Sequence, residues 1–489
     1  MGLSSADTAT EAIQLCIFDL RRGQQEGQEL DKILFFFPAD FPFSRQLSVI
    51  GLSEGLITFT RIFSPEVACE VIEADRHTHV FYEAEPDIWM VMIVEKNESE
   101  AIWRVDALQK VLKEIHSLFL MFHGSIRALL EKEPAGGLIR SHLYPFIIDY
   151  LRACQKRSPL DNCCCDFLFG KKLLLPSFRD CLKERGTVQM LTVSREAAIE
   201  VQSLVRLLEG SAGNKPCYSL ILFQDLLVST TLSPVDTISL FTYSILRLTP
   251  HALSSGDTSH GVDDNYHVAR PLQQDRWSKG NDGFLVTDLW GAENGSSTPA
   301  APTIWLQQTE ERMYLSAYQY KSLTLILLVP VASILNGDQG VSLVKQQVHE
   351  NASLKMLKVE EILSKGWGGE NAYHVSGYRY LLVDGDRSVS RSSPPGKVTT
   401  LTKESLLVLS KVREEVDLEK GQMVGVNAGL EKDLEICIRA KNNAWVIARI
   451  TKGKEVYMVL ERANDTLLYA SEAVEKFSNR YCNGAFSLD

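Results

Sequence analysis

The segment IQLCIFDLRRGQQEGQELDKILFFFP, residues 13–38, contains two apolar runs separated by a polar turn. The runs IQLCIFDL (13–20) and KILFFFP (32–38) have the length and composition of β-strands, and their spacing predicts an antiparallel pair. Neighbouring side chains of a strand point to opposite faces, so the phenylalanines at 35–37 make the second strand apolar on both faces. Such a strand is either buried on both sides or has one face that binds a partner, and the sequence pattern leaves both readings open.

The residues after this pair predict a helix. Leu52, Leu56, Phe59 and Phe63 recur at i, i+4, i+7 and i+11, which places them on one helical face within Phe43–Phe63. An apolar helical stripe normally packs against its own sheet. These four side chains are therefore expected in the core.

Three more strands and a second helix complete a first unit. The runs CEVIEA (69–74), HVFYEA (79–84) and DIWMVMIVEK (87–96) predict strands, and a helical period follows from Val105 to Phe122. The element order β-β-α-β-β-β-α is typical of the α/β (α+β) class, with helices that cover a mainly antiparallel sheet.

The same order of elements recurs twice. We expect a first domain at 11–125, a largely helical connector at 126–215, a second domain at 216–365 and a third at 370–489. Polar segments rich in Gly, Ser and Pro predict mobile loops within the second and third domains, at 254–265, 291–302 and 384–397.

The net charge indicates which partners are disfavoured, and the cysteines indicate the redox compartment. The formal net charge is −11, from 62 acidic and 51 basic residues, and it disfavours non-specific binding to nucleic acid. Ten cysteines without a recognisable secretory signal favour free thiols in a reducing cytosol. The longest apolar run, Leu323–Leu335, is too short to span a bilayer and contains Pro330. We expect a cytoplasmic protein that reaches membranes through a partner.

The sequence contains one short pattern that is typical of an enzyme active site. Residues 51–55 form a G-x-S-x-G pattern, but a nucleophile elbow requires a strand-to-helix turn, and the residues around Ser53 keep a helical period. A serine hydrolase using Ser53 is therefore a remote alternative. Cys163, Cys164 and Cys165 lack the spacing of zinc ligands, which favours plain thiols and leaves an S-acylated loop open. We predict no catalytic residue, no cofactor and no metal, as in a binding protein.

Four stretches together resemble one known family. The stretches are QQEGQELDKILFFFP (24–38), VIGLSEGLITFTRIFSP (49–65), EPDIWMVMIVEK (85–96) and the closing YCNGAFSLD (481–489). They are similar to the calcium–caffeine–zinc-sensitivity (Ccz) vacuolar fusion family. The resemblance implies three longin domains, in agreement with the three units counted from the sequence. It also implies a constitutive partner of the monensin-sensitivity (Mon) family.

The resemblance further implies a function. The Mon–Ccz pair is a guanine-nucleotide exchange factor for a late-endosomal and vacuolar Rab GTPase of the Rab seven type. Exchange of this kind needs no covalent catalysis, because the factor binds the nucleotide-free Rab more tightly than the nucleotide-bound form and distorts its switch loop and magnesium site. The implied location is the cytoplasm, with peripheral recruitment to the late endosome, prevacuolar compartment and vacuole. The alternative is a longin trafficking scaffold or adaptor without exchange activity.

The resemblance also implies that the first longin domains of the two subunits pair and that the paired platform engages the Rab. The first helix and the strand IWMVMIV (88–94) are the candidates for that surface. Their apolar residues, however, are expected to be core residues before they are expected to be interface residues. The better interface candidates are the polar residues of the same helix, which we expect to be exposed: Ser53, Glu54, Thr60 and Arg61. The longin arrangement also places helices on both faces of the sheet and the second strand at its edge. Phe35, Phe36 and Phe37 are therefore predicted to be core residues.

Overall fold

In the computed structural model the chain forms three sheets, each with helices on both faces. The structure describes residues 13–65, 68–95, 105–156, 187–211, 217–254, 273–274, 282–286, 289–290, 301–334, 337–368, 378–393, 402–424, 433–451, 453–460 and 466–481. Within these ranges no helix has both the length and the apolar character needed to cross a membrane. The predicted loop segments 255–265 and 291–300 and the triplet Cys163–Cys165 lie outside the described residues.

The first unit has the predicted order of elements. Its elements are β1 (Ile13–Asp19), β2 (Ile33–Phe37), α1 (Phe43–Phe63), β3 (Val71–Glu73), β4 (His77–Glu85), β5 (Ile88–Glu95) and α2 (Val105–His123). The sheet order is β2-β1-β5-β4-β3, and every pair is antiparallel. The prediction of an antiparallel β1–β2 pair is confirmed, with Cys16 opposite Phe36.

The strand β2 is an edge strand that is covered on both faces, as predicted. Phe35 belongs to the core cluster under α2, whereas Phe36 belongs to the cluster under α1. The outer edge of β2 is also guarded, because Arg140 donates a hydrogen bond from Nε to the carbonyl oxygen of Ile33 over 3.0 Å. The apolar strand therefore needs no partner to explain its composition.

The described residues of 126–215, the region expected to be a helical connector, form three helices and one short strand. In chain order they are α3 (Ile126–Lys132), α4 (Gly137–Lys156), β6 (Val188–Gln189) and α5 (Arg195–Gly210). The helices α3 and α4 share the core of the first sheet, whereas α5 packs with a helix of the second unit. The described parts of 126–215 are largely helical, but they complete the layers of the neighbouring units rather than form a layer of their own.

The second unit repeats the fold with additional short strands. Its elements are β7 (Tyr218–Phe223), β8 (Leu226–Thr230), α6 (Pro234–Arg247), α7 (Pro250–Ser254), β9 (Gln273–Gln274), β10 (Gly283–Val286), β11 (Thr303–Trp305), β12 (Arg312–Tyr320), β13 (Leu323–Pro330) and α8 (Asp338–Gly368). The sheet order is β8-β7-β13-β12-β10-β9, and β11 pairs with β12. One face packs under α5 and α8, and the other shares a core with the first unit.

The third unit corrects one prediction. Its elements are β14 (Tyr378–Asp384), β15 (Val389–Ser392), α9 (Lys403–Val424), β16 (Leu434–Arg439), β17 (Trp445–Thr451), β18 (Lys454–Leu460) and α10 (Leu467–Tyr481). The prediction of a loop over 384–397 is wrong for β15, which pairs with β14 and with β6. The hydroxyl group of Ser390 accepts a hydrogen bond from Thr187, and that of Ser392 accepts one from Gln189. The serines that made this segment look like a loop are partners in a sheet.

The three units share one strand order. The sheet of the third unit runs β16-β17-β18-β14-β15-β6. Without the extra strands, each sheet places the second strand of its unit at one edge, followed by the first, fifth, fourth and third. This recurrence supports three β-β-α-β-β-β-α units of one fold.

Candidate partner-binding surface

One side of α1 is apolar and exposed to solvent. Its four large side chains expose between 54% and 72% of their surface, and the rings of Phe59 and Phe63 lie 4.8 Å apart. Two glycines on this side have no described atom within 4 Å of the position that a Cβ would take. We call this set of residues the α1 outer face: Gly51, Leu52, Gly55, Phe59, Ile62 and Phe63. At 3.6 residues per turn, it covers about one third of the helix circumference.

The predicted orientation of α1 is therefore wrong. The buried residues are Gln46, Ile50, Ser53 and Ile57. Of the predicted core stripe, Leu52, Phe59 and Phe63 point outward, and only Leu56 packs partly on the core. Two of the four buried residues are polar, so the stripe that meets the sheet is the less apolar one. The polar groups are satisfied locally, because Gln46 donates to the carbonyl oxygen of Phe41 and Ser53 donates to that of Val49.

A signal for the outer face was present in the sequence. A helix that covers one side of a sheet needs a single apolar stripe, and a helix that is apolar all round is normally buried all round. The segment 43–63 carries isoleucines on the inner side and large apolar residues on the outer side as well. Its second apolar side therefore indicates a second contact.

Three of the four predicted interface residues lie beside the outer face in contacts within the chain. Glu54 accepts hydrogen bonds from Nζ of Lys32 at 2.9 and 2.7 Å. Thr60 lies on α1 with its hydroxyl group donated to the carbonyl oxygens of the preceding turn. Arg61 contacts Glu83 at 3.1 Å and Asp87 at 3.5 Å. The ion pairs of Arg61 join α1 to β4 and to the turn after it, whereas the Thr60 bonds stay within the helix.

The fourth predicted residue, Ser53, is fully buried, so the expectation that it is exposed is wrong. Ser53 lies within α1, and its hydroxyl group donates a hydrogen bond to the carbonyl oxygen of Val49 over 2.9 Å. It is therefore not at the strand-to-helix turn that a nucleophile elbow requires. The strand Ile88–Glu95 is likewise buried from its first residue to Val94. Neither Ser53 nor this strand offers a surface to a partner.

The carboxylate of Glu85, at the end of β4, binds the first turn of α3. Glu85 accepts hydrogen bonds from the Ser125 hydroxyl group and from the backbone N–H groups of Ile126 and Arg127 over 2.7–3.0 Å. Burial by itself would raise the pKa of Glu85, but these bonds and His116 outweigh it and hold the pKa below its usual value. The negative charge at a helix N-terminus is also favourable for the helix dipole.

The helix of the second unit that corresponds to α1 is already covered. The ring of Tyr243 on α6 lies 5.0 Å from Phe122 on α2, in the core that the first two units share. In the described part of the chain, no element packs on the α1 outer face in the same way.

Within the described residues, no group of three or more His, Cys, Asp or Glu side chains is placed to hold a metal ion.

Comparison with known proteins agrees with this architecture. The family model for the first longin domain of INTU, CCZ1 and HPS4 matches residues 13–124, which contain α1 and the first sheet. Vacuolar fusion protein CCZ1 homolog A of Arabidopsis thaliana is 64% identical over 519 residues and is matched over 100% of both chains. The chain belongs to the CCZ1 family.

More distant CCZ1 proteins match over nearly the same length. The CCZ1 homolog of rice, Oryza sativa subsp. japonica, is 58% identical over 100% of both chains. That of Dictyostelium discoideum is 23% identical over 96% of this chain and 97% of its own. The resemblance inferred from the four sequence stretches is confirmed, and the first unit is a longin domain.

Proposed function

We propose that this CCZ1-family chain is one subunit of a heterodimeric guanine-nucleotide exchange factor for a late-endosomal and vacuolar Rab GTPase of the Rab seven type. Its partner in this proposal is a Mon-family protein, whose first longin domain covers the α1 outer face. The observation that carries the proposal is the apolar and exposed character of that face, together with the name "vacuolar fusion protein" borne by the similar relatives.

The exposed aromatic and aliphatic side chains of the α1 outer face support a stable partner. Large side chains at the centre of an interface account for most of its binding energy, and aromatic residues are enriched among them. Phe59, Ile62 and Phe63 lie next to one another on the outer side of α1, and the polar residues Glu54 and Arg61 lie on one flank of the helix, between the outer side and the buried side. An apolar centre with a charged rim is the usual anatomy of a protein–protein interface.

The exchange step proposed for the complex is a matter of differential binding. A surface that binds nucleotide-free Rab more tightly than nucleotide-bound Rab lowers the affinity of the Rab for its nucleotide by the same factor. In this proposal the paired first domains form the platform for the Rab, and the complex, rather than this chain alone, brings the activity to the late endosome, prevacuolar compartment and vacuole.

The test measures release of fluorescent GDP from the Rab by each subunit alone and by both together. We expect acceleration only when both subunits are present. Phe59→Lys should weaken partner binding by roughly tenfold or more, because it places a charge at the centre of an apolar interface. Leu354→Lys is the matched control, since Leu354 is also an exposed apolar residue on a helix, α8 of the second unit.

The outcomes separate the parts of the proposal. Full partner binding by Phe59→Lys would show that the α1 outer face is not the contact. A stable complex that does not accelerate GDP release would instead favour the trafficking scaffold or adaptor without exchange activity.

A further inference from the structure

The edge strands of the three sheets are protected to different degrees. Unpaired edges invite other strands, so proteins usually shorten or cover them. The edge of β2 is guarded by Arg140, and β8 receives a hydrogen bond from the N–H of Leu191 to the carbonyl oxygen of Leu227. The edge strands β3 and β9 have only three and two residues.

The strand β16 at the edge of the third sheet has none of these protections among the described residues. It is six residues long, Leu434–Arg439, contains no proline and pairs with β17 without a bulge. All of its residues are half-buried except Arg439, which is exposed. No described segment forms a backbone hydrogen bond with its outer side.

The direction of each backbone group of β16 follows from its pairing. Ala440 donates its N–H to the carbonyl oxygen of Ala444, which fixes 440 and 444 as a hydrogen-bonded pair in the hairpin. Such pairs alternate along an antiparallel ladder. The N–H and C=O groups of the even-numbered residues of β16 therefore point to β17, and those of Glu435, Cys437 and Arg439 point outward.

The side chains of β16 leave both faces of the sheet incomplete. Ile436 and Ile438 contact the core under α9 but are only partly buried. Cys437 contacts the core under α10 and is likewise partly buried. An added strand would extend both apolar layers.

We propose that β16 pairs antiparallel with β16 of a second copy of this chain, about a two-fold axis at Cys437. Only the outward N–H and C=O groups of each copy can form hydrogen bonds with the other copy. The register must therefore place odd-numbered residues of one β16 opposite odd-numbered residues of the other. With the two-fold axis at Cys437, all three outward residues of each copy form hydrogen bonds across the new pair. A shift by two residues loses part of the ladder and places Cys437 opposite either Glu435 or Arg439.

The side chains of β16 match this register. It places Glu435 of each copy opposite Arg439 of the other, and Ile436 opposite Ile438. Opposite charges and apolar pairs directly across an antiparallel ladder are stabilising, whereas like charges in that position are destabilising. Arg439 is exposed, with its guanidinium group 5.5 Å from the ring centroid of Trp445. The carboxylate of Glu435 accepts hydrogen bonds from Arg449 and Ser471 within the chain, and its remaining lone pairs can accept one from Arg439 of the second copy. The pairing lies on the third sheet, and it does not depend on the α1 outer face.

The test is the mass of the full chain in sedimentation equilibrium over a dilution series. The wild-type chain is expected to double its mass reversibly. Cys437→Pro removes an outward N–H group but no hydrogen bond between β16 and β17, and proline is tolerated at such a position of an edge strand. This variant should remain monomeric. Cys437→Ser keeps the N–H and should still dimerise. Arg439→Glu should abolish the dimer, because it places two acidic residues opposite each other.

Cross-linking checks the register. Hydrogen-bonded pairs in antiparallel sheets have Cα atoms about 5.5 Å apart, which lies within the range that a disulfide spans. Treatment with copper–phenanthroline and dioxygen should therefore yield a covalent dimer that Cys437→Ser does not form. Thermal melting of each variant confirms that it is folded.

Other results would overturn the proposal. A chain that stays monomeric at every concentration, or that dimerises equally well as Cys437→Pro, excludes β16 pairing with a second copy. Pairing of β16 with the Mon-family partner alone would exclude it too. The Phe59→Lys variant should still dimerise, and Arg439→Glu should still bind the partner, so the two proposals fail separately.

Discussion

Ser53 is a small residue in a place where a large one would not fit. It is fully buried on the sheet side of α1, one turn from both Ile50 and Ile57. Its hydroxyl group bonds to the preceding turn of the same helix, so it makes no demand on the sheet. The serine that suggested a nucleophile is therefore part of a helix–sheet contact.

This contact predicts an asymmetry between two substitutions. Ser53→Leu should destabilise the protein by about 1–3 kcal/mol, because it forces extra methylene groups into a packed layer. Ser53→Ala should cost less than about 1 kcal/mol, since it removes only one hydrogen bond within the helix. Urea unfolding monitored by circular dichroism measures both. An unchanged midpoint for Ser53→Leu would mean that α1 is not closely packed on the sheet.

At the scale of the element, α3 depends on one carboxylate from the first sheet. Glu85 satisfies the N–H groups that the first turn of a helix leaves unpaired, and Arg127 on the same turn forms an ion pair with buried Asp19 over 2.8 Å. This short helix is therefore fixed by the sheet rather than by its own propensity.

The low pKa of Glu85 predicts a pH-dependent contribution to stability. A carboxylate whose pKa is lower in the folded than in the unfolded state stabilises the fold fully above its unfolded pKa of about 4.3. That contribution is lost as the pH falls through the lower folded value. Glu85→Gln should therefore destabilise the protein by about 1–3 kcal/mol at neutral pH, and the difference from wild type should shrink in acid.

The measurement is the urea midpoint of both proteins at neutral and acidic pH. Glu361→Gln is the matched control, because Glu361 forms an exposed ion pair with Lys365 within α8 and should contribute little. A constant difference between Glu85→Gln and wild type at all pH values would contradict the assignment.

At the scale of the whole molecule, an aromatic cluster joins the first two units. Trp290 lies within 6.0 Å of Phe122 and 5.1 Å of Tyr243, measured between ring centroids. The backbone carbonyl of Trp290 also contacts Nε2 of His123 at 2.9 Å. Burial lowers the pKa of His123 to about 4, so its ring is neutral at physiological pH and can lie among aromatic residues.

Removal of this tryptophan should uncouple the two units. Trp290→Ala is expected to cost about 3–5 kcal/mol, the usual range for loss of a buried large aromatic side chain. Differential scanning calorimetry should show the transition of the first two units split or broadened relative to wild type. Trp305→Ala is the control, because Trp305 is 39% exposed. A single unchanged transition for Trp290→Ala would show that the cluster does not couple the units.

The sequence by itself determined the local elements and their order. The bounds of α1 and the helical period of α2 follow from patterns that extend over a few residues. The residues that carry the period of α2 are all buried: Leu108, Leu112, Ile115, Phe119 and Phe122. Side-chain period is a local property of the chain, and three repeats of one order indicate three copies of one fold.

Only the tertiary structure decided which surfaces meet. The inner side of α1 is the stripe with Ser53 and Gln46, since the sheet admits small and internally bonded side chains there, and the larger apolar stripe is left exposed in the described part of the chain. The strand β15 exists because β14 and the distant segment around Gln189 bond to it, which its own serines do not reveal. Burial depends on what another part of the chain presents, and the period of a single segment carries no information about that neighbour.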